Sequence, residues 1–330
     1  MTERKPVLEI EHLSVAYDSP RGPVQAVNDV SLAIYEEEIV GLVGESGSGK
    51  STMAYAIMRL LKGVAYVTGG SIKINGKDVY GLSKQELRAF RWAEMAMVFQ
   101  SAMSALNPVM TVEQQIADTI RSHQKNASSA EIRKRAEELL DLVRIDRKHL
   151  KSYPHQLSGG MKQRVVIAIA ICLKPSLVIM DEPTTALDVV VQRSILDQIQ
   201  EIQREVKFAI LFISHDFSLV SELASRVAIM YAGRVVELAG SRRLRVAGEH
   251  HPYTEGLLRA IPRLTADDVV IEGIPGNPPN LVELPSGCAF HPRCAHATER
   301  CAVEEPRLQK TGQAEIACHL FQGREVPQHV

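Results

Sequence analysis

The chain has 330 residues, of which 45% are apolar and 23% charged. This composition indicates an ordered protein with one large or two modest hydrophobic cores, and it excludes a disordered chain. The 38 basic and 39 acidic residues leave a formal net charge of −1, which excludes a whole-chain electrostatic field that favours nucleic acid or anionic lipid.

The apolar runs of the sequence are short. The longest, residues 165–173, falls well below the roughly 20 residues that span a bilayer. The first residues, MTERKP, are not followed by the apolar core of a signal peptide. We therefore expect a soluble protein that stays in the cytosol.

Several short apolar runs between breakers predict buried strands of a parallel sheet with helices on both faces. They are residues 39–43, 177–180 and 209–213. Two further runs, 227–231 and 235–238, lie on either side of Gly233 and predict a hairpin.

A glycine-rich segment follows the first of these strands. Residues 44–51 read GESGSGKS and match the pattern G-x-x-x-x-G-K-[ST], and a run compatible with a helix follows to residue 61. In this strand–loop–helix setting the backbone N–H groups converge on phosphate oxygens at a helix N-terminus. Lys50 is predicted to bridge the β- and γ-phosphates and Ser51 to bind Mg²⁺. The predicted phosphate-binding residues are Gly44, Ser46, Gly47, Ser48, Gly49, Lys50, Ser51 and Thr52.

Residues 101–157 contain no convincing strand and predict a helical subdomain inserted into the α/β core. Ser128 and Glu131 have capping-box spacing, so we expect a helix to begin there. Apolar residues then recur on one face of that helix. They are Ile132, Ala136, Leu139, Leu140 and Val143.

Two further segments predict anion and metal chemistry. Ser158, Gly159 and Gly160 precede the helix-compatible run 161–173, which predicts a second anion site at a helix N-terminus. The strand 177–180 ends in Asp181 and Glu182. Beside a phosphate loop, Asp181 is predicted to hold Mg²⁺ and Glu182 to polarise the attacking water.

After residue 250 the sequence becomes rich in proline and glycine and predicts a small, loop-rich C-terminal module. Four cysteines lie in it with the spacing C-x₅-C-x₆-C-x₁₆-C: Cys288, Cys294, Cys301 and Cys318. In a reducing compartment they suggest a metal or iron–sulfur site, but the spacing alone does not choose between zinc, an iron–sulfur cluster and free or paired thiols. His291, His296 and His319 lie among them and could substitute as ligands.

These motifs together carry a family resemblance. Residues 157–161, LSGGM, are similar to the LSGGQ signature of ABC ATPases, with Met161 in place of the usual glutamine. Other segments match that family in the expected order. Gln100 resembles the Q-loop glutamine, Asp188 lies in a TALD segment that resembles the D-loop, and His215 resembles the switch histidine. Tyr17 lies where the family stacks an aromatic ring on adenine.

The resemblance implies a P-loop NTPase of α/β class, with a RecA-like parallel-sheet core, an inserted helical subdomain at about 101–157 and a C-terminal extension. The expected domains are an ABC nucleotide-binding domain at 1–250 and the extension at 251–330. The cofactors implied are ATP and Mg²⁺, with Ser51, Gln100 and Asp181 at the metal and Lys50, Gln100, Glu182 and His215 in catalysis. The family also implies a head-to-tail dimer in which Ser158 and Gly160 serve the nucleotide of the partner. Gly159 and Asp188 are further expected nucleotide-binding residues.

Three segments resemble one branch of the family, the oligopeptide/dipeptide importers. They are residues 100–108, residues 152–156 and the HPYT sequence at 251–254. This branch implies peptide uptake, two transmembrane permease subunits, an extracytoplasmic solute-binding protein and a peripheral position on the cytoplasmic face of the membrane. The branch further implies a second homologous ATPase subunit, with a heterodimer favoured over a pair of identical chains. It also implies a [4Fe–4S] cluster on the four cysteines, with zinc as the alternative.

Three alternative functions fit the sequence less well. Nickel or another small solute could replace peptides, because the same branch includes such importers. A DNA-repair ATPase of the superfamily is disfavoured because the chain has no long coiled coil, no duplicated ATPase and no basic excess. A regulatory module that does not hydrolyse ATP is disfavoured because Lys50, Asp181 and Glu182 are all present.

Overall fold

The computed structural model describes residues 5–100, 105–185, 187–246, 248–260 and 273–322. The chain divides into two compact units. The first comprises Met1–Glu9, Ala33–Glu38 and Lys73–Leu211, and the second comprises Ile10–Leu32, Ile39–Ile72 and Phe212–Val330.

Strands and helices alternate along most of the chain. The strands are β1 Pro6–Tyr17, β2 Val24–Tyr35, β3 Ile39–Val43, β4 Ala65–Ile74, β5 Lys77–Asp78, β6 Met95–Val98, β7 Leu177–Asp181, β8 Ala209–Ser214, β9 Arg226–Tyr231, β10 Arg234–Gly240, β11 Gln309–Thr311 and β12 Ala314–Ile316. The helices are α1 Lys50–Ile57, α2 Lys84–Phe90, α3 Val112–His123, α4 Ser129–Leu142, α5 Gly159–Ala170, α6 Val189–Val206, α7 Phe217–Leu223, α8 Ser241–Leu244, α9 Pro252–Arg259 and α10 Glu299–Val303. Three short 3₁₀ helices lie at Arg147–Lys151, Pro154–Gln156 and His291–Arg293. Among the described residues no helix combines the length and the apolar character that crossing a membrane requires.

The first unit contains the parallel pair β6–β7, with Met95 opposite Leu177. Every residue of both strands is buried, as expected for parallel strands covered on both faces. The predicted strand 177–180 is therefore confirmed, with one more residue at its end.

The predicted helical segment also lies in the first unit. Between residues 105 and 157 the described residues form α3, α4 and two 3₁₀ helices, without a strand. The Ser128 side chain accepts a hydrogen bond from the Glu131 N–H, and the Glu131 carboxylate accepts one from the Ser128 N–H. The predicted capping box is therefore present. All five predicted core residues of this helix, Ile132, Ala136, Leu139, Leu140 and Val143, are at most 3% exposed.

In the second unit the strand order is β11-β12-β10-β9-β3. β3 and β9 are parallel, with Val40 opposite Arg226. β9 and β10 form the predicted antiparallel hairpin, in which Ala232 and Gly233 make the turn with φ of 48° and 85°. The predicted strand 209–213 is also observed, as β8, which continues to Ser214.

Two details differ from the expectations. The helix after the glycine-rich loop ends at Ile57 rather than near residue 61, because Arg59 has a left-handed φ of 53°. The C-terminal segment is less loop-like than its composition suggests. Its hairpin β11–β12 pairs with β10, with Leu238 opposite Glu315, and so extends the sheet of the second unit.

Candidate functional site

The glycine-rich loop connects β3 to α1 in the second unit. Gly47 and Gly49 have φ of 79° and 102°, a region that glycine enters without steric cost. A Cβ on Gly44 would lie 2.1 Å from the Met230 carbonyl oxygen, and a Cβ on Gly49 would lie 2.1 Å from that of Ala26. Backbone atoms of β9 and β2 thus press on the loop, and only glycine fits at these two positions.

Lys50 occupies the hollow of this loop. Its side chain is 6% exposed, and its Nζ donates hydrogen bonds to the carbonyl oxygens of Gly44 (2.8 Å) and Glu45 (2.9 Å) and to Ser48 Oγ (3.3 Å). The first turn of α1 holds Ser51 and Thr52 and no acidic residue. A buried ammonium group beside a helix N-terminus is suited to binding phosphate.

Tyr17 ends β1, and its hydroxyl lies 3.0 Å from Thr52 Oγ1. The structure therefore brings the predicted adenine-stacking residue to the helix that follows the loop. His215 directly follows β8 and is exposed. On either side of it, the Asp216 N–H donates to Ser214 Oγ (3.0 Å), and Asp216 caps α7.

The first unit holds the acidic end of β7. Asp181 is 1% exposed. Glu182 has a left-handed φ of 47°, a conformation that costs about 1–3 kcal/mol and is concentrated at functional sites. Its Oε2 accepts hydrogen bonds from Gln100 Nε2 (2.7 Å) and Thr185 Oγ1 (3.0 Å). The structure therefore joins the predicted Q-loop glutamine to the predicted water-polarising carboxylate. Residues 101–104, which continue the predicted Q-loop, lie outside the described residues.

The signature segment opens α5, also in the first unit. Ser158 is the N-cap, and its side chain accepts a hydrogen bond from the Met161 N–H at 3.3 Å. Ser158 is exposed, and Gly159 and Gly160 are partly so. Asp188 caps α6 in the same way, through the Val191 N–H at 2.9 Å. A Cβ on Gly160 would lie 3.0 Å from Val191 Cγ1, so the signature packs closely against the first turn of α6, the helix that Asp188 caps. Ala186 of the D-loop segment lies outside the described residues.

The four late cysteines gather in the C-terminal segment as free thiols. Burial raises the pKa of Cys318 to about 11, and the neighbouring thiolates of the other three contribute in the same direction. The Cys288 N–H donates to the Cys301 carbonyl at 2.8 Å, and the His296 N–H lies 3.4 Å from Cys294 Sγ. Within the described part of the chain, however, no three His, Cys, Asp or Glu side chains are arranged to hold a metal ion.

The side chains of two of the three histidines among these cysteines, His319 and His291, have other partners. His319 contacts Gln322 Oε1 and the Glu304 carbonyl oxygen, each at 2.8 Å. His291 Nδ1 lies 2.9 Å from the Cys288 carbonyl oxygen. These contacts support packing roles.

One contact of the phosphate loop was not predicted from the sequence. Arg293 makes a two-point ion pair with Glu45, the second residue of the loop. The two residues are 248 positions apart, so no local pattern connects them. Two sequence features could have pointed to this ion pair. Glu45 places a carboxylate in a loop predicted to bind anions, which calls for a nearby positive charge, and Arg293 directly precedes Cys294 in the C-terminal segment.

Comparison with known proteins places these motifs in a family. Residues 27–185 match the model of the ABC transporter family, and residues 236–301 match that of the oligopeptide/dipeptide transporter C-terminal region. The chain is 44% identical to the oligopeptide transport ATP-binding protein OppD of Escherichia coli strain K12, over 94% of this chain and 92% of that protein. It is 40% identical to the dipeptide transport ATP-binding protein DppD of Caldanaerobacter subterraneus subsp. tengcongensis, over 96% and 97%.

Solved structures similar to this chain belong to the same class of ATP-binding cassettes. A dimeric ATP-binding cassette in a post-hydrolysis state, bound to ADP and phosphate, matches with a TM-score of 0.63 and 29% identity over 71% of this chain and 99% of its own. The cbiO1 protein of Clostridium perfringens, part of an ABC transporter complex, matches with a TM-score of 0.63 and 28% identity over 73% and 90%.

Fold and motifs therefore define an ABC-type ATPase with a P-loop NTPase fold. The chain belongs to the ATP-binding subunits of ABC transporters, in the oligopeptide/dipeptide branch.

The contact between Gly49 and the Ala26 carbonyl can be tested with Gly49→Ala. We expect an overpacking cost of about 1–3 kcal/mol beyond the backbone strain, together with loss of ATP binding, measured by denaturant unfolding and calorimetric titration. Gly22→Ala is the matched control, because Gly22 has a similar φ of 107° and open space around it. Equal stability and equal ATP affinity in the two variants would contradict this interpretation.

Proposed function

We propose that this subunit hydrolyses ATP to drive the uptake of di- and oligopeptides across the cytoplasmic membrane. The observation that carries the proposal is the match to oligopeptide and dipeptide transport ATP-binding proteins along nearly the whole chain, including the C-terminal region. Nickel or another small solute is the alternative cargo.

In the proposed ATP site, the buried ammonium group of Lys50 binds the β- and γ-phosphates, and Tyr17 stacks on the adenine. Mg²⁺ is proposed to be held by Ser51, Gln100 and Asp181. Hydroxyl, amide and carboxylate oxygens are ligands that suit this hard cation. Mg²⁺ held by these residues would supply positive charge to neutralise the charge that develops on the phosphates. The other predicted residues of the loop are proposed to bind the phosphates, and the signature residues are proposed to bind the nucleotide of the partner protomer.

Glu182 is proposed to orient and polarise the attacking water. Its position supports this role, because Gln100 and Thr185 fix the carboxylate and the strained backbone fixes its direction. His215 is proposed to contact the γ-phosphate from the exposed end of β8.

The proposed working unit is a head-to-tail dimer of homologous ATPase subunits. The signature of one protomer, with Asp188, serves the nucleotide held by the loop of the other. Val189 and Val190 support this arrangement, because each is 79% exposed at the start of α6 beside Asp188, and exposed apolar residues at a functional edge are typical of protein interfaces. The related cassette bound to ADP and phosphate is also a dimer.

The further partners proposed are two transmembrane permease subunits and an extracytoplasmic solute-binding protein. This chain would then be peripheral to the membrane on its cytoplasmic face, with the nucleotide-binding domain at 1–250 and the extension at 251–330. The closed dimer binds ATP more tightly than ADP, and this difference in affinity drives the cycle.

Replacing Glu182 by glutamine tests the catalytic assignment. ATP binding should survive, while turnover should fall at least about 100-fold, because the base that polarises the water is lost. The measurements are ATP affinity and phosphate release by the assembled transporter. Glu201→Gln, an exposed carboxylate on α6, is the control and should keep normal turnover. A normal rate for Glu182→Gln would show that another group polarises the water.

Reconstitution tests the cargo. The complex that co-purifies with this chain from membranes, placed in vesicles with its solute-binding protein, should accumulate labelled di- and tripeptides only with ATP on the ATPase side. The complex carrying Glu182→Gln should not accumulate them. ATP-dependent uptake of Ni²⁺ without peptide uptake would show that the cargo is nickel and not peptide, and it would not affect the ATPase assignment.

We further propose that Cys288, Cys294, Cys301 and Cys318 hold a [4Fe–4S] cluster. The donor set supports this in kind and number, since such clusters take four thiolates, and the N–H at Cys294 Sγ is of the type that tunes their potential. Burial raises the pKa values of Cys288, Cys294 and Cys318, so assembly would have to displace protons. The alternative occupant is zinc.

Anaerobic purification of the full chain tests this assignment. We expect about four iron and four sulfide ions per chain and an absorption band near roughly 400 nm. Cys318→Ser should reduce both, whereas Cys172→Ser, at a buried site outside the module, should change neither. One zinc ion per chain without a visible band would show that the site holds zinc instead of a cluster. A metal-free chain with normal transport would show that the cysteines hold neither.

A further inference from the structure

Glu45, in the phosphate loop, is held at three points. Its carbonyl oxygen accepts a hydrogen bond from Lys50 Nζ (2.9 Å), its N–H donates to the Tyr253 hydroxyl oxygen (2.9 Å), and its carboxylate is paired with Arg293. The first contact lies within the loop. The other two come from the C-terminal segment, after residue 250.

Tyr253 is placed by a buried polar network. Its ring is fully buried, and its N–H donates to His251 Nδ1 at 3.0 Å. Burial lowers the pKa of His251 to about 3, so the imidazole is neutral and able to accept that bond. The His251 N–H in turn donates to Glu237 Oε2 at 2.8 Å, and His250 Nδ1 lies 2.8 Å from Glu237 Oε1. The network ties the start of α9 to β10 and fixes the position of the Tyr253 hydroxyl.

Arg293 is equally constrained. Its side chain is 5% exposed, and its two terminal nitrogens donate to the two Glu45 oxygens at 2.7 and 3.0 Å. Its Nε donates to the Pro275 carbonyl at 2.8 Å, and its guanidinium lies 5.8 Å from the centre of the Tyr231 ring. A bidentate, charge-assisted pair of this kind is strong and specific in direction.

The charge of Glu45 gives the pair a functional consequence. A carboxylate in a loop that binds a triphosphate repels the ligand, and the repulsion is stronger where water is partly excluded. The guanidinium neutralises this charge and also fixes the backbone of the second loop residue. Position 45 therefore tolerates a carboxylate as long as Arg293 is in place.

We propose that Arg293 and Tyr253 are positioning residues for the nucleotide, which neutralise and orient Glu45 so that the phosphate loop accepts ATP. The inference rests on the proposed ATP site around Lys50. It gives the C-terminal segment a direct effect on ATP affinity.

A double-mutant cycle on the full-length chain tests the proposal, with ATP affinity measured by calorimetric titration. Arg293→Met should weaken ATP binding about tenfold, because the Glu45 charge is then uncompensated. Glu45→Gln should bind ATP at least as well as the unaltered chain. The double variant Glu45→Gln/Arg293→Met should recover most of the loss, which a purely structural role of Arg293 does not predict.

Two milder variants cover the case in which Arg293→Met does not fold. Arg293→Lys keeps the charge and loses the two-point geometry, so its ATP affinity should be intermediate. Tyr253→Phe removes only the hydroxyl and should weaken ATP binding about threefold with little change in thermal stability. In the assembled transporter the Arg293 variants should raise KM for ATP more than they lower kcat.

The matched control is Arg300→Met, which removes an exposed ion pair with Glu304 in the same segment and should leave ATP affinity unchanged. The proposal is overturned if Arg293→Lys and Tyr253→Phe both bind ATP normally, or if the double variant is as weak as Arg293→Met. Lys50→Ala separates the two levels of inference. If Lys50→Ala binds ATP normally, the proposed ATP site is wrong. If Lys50→Ala loses ATP binding while the Arg293 and Tyr253 variants bind ATP normally, only the positioning role is wrong.

Discussion

The close approach of backbone carbonyls to the phosphate loop is the constraint on which the rest of the site depends. The carbonyl oxygens of Ala26 and Met230 leave no room for a Cβ at Gly49 or Gly44. The loop therefore lies directly against β2 and β9, and the Lys50 ammonium group is held by the carbonyl oxygens of Gly44 and Glu45. A site whose donors are already oriented loses little entropy when the ligand binds.

Much of the fold follows from local patterns. The apolar runs before Gly44 and Asp181 predicted the buried strands β3 and β7, because parallel strands covered on both faces need apolar side chains throughout. The helix after Ser128 was predicted from a capping box and apolar spacing, both of which act within a few residues. The early end of α1 was not predicted, because the left-handed turn at Arg59 has no glycine or proline to mark it.

The site divides in the same way. Lys50, Asp181, Glu182 and Ser158 could be predicted as site residues because each lies in a motif of adjacent residues. The hydrogen bond between Gln100 and Glu182 spans 82 positions, and only the family resemblance suggested that the two act together. The pair of Glu45 and Arg293 was missed because neither sequence spacing nor residue type connects them. The same holds for the C-terminal hairpin, whose place beside β10 is set by tertiary pairing of two three-residue strands.

The ion pair between Glu45 and Arg293 also constrains how relatives of this protein can exchange their parts. A C-terminal module transplanted from a homologue carries its own residue at position 293, whereas the recipient keeps its own residue at position 45. A chimera that joins a carboxylate at 45 to an uncharged side chain at 293 has a mismatched charge in its phosphate loop, even when each half folds normally. The two positions are therefore expected to change together during evolution, although they lie near opposite ends of the gene.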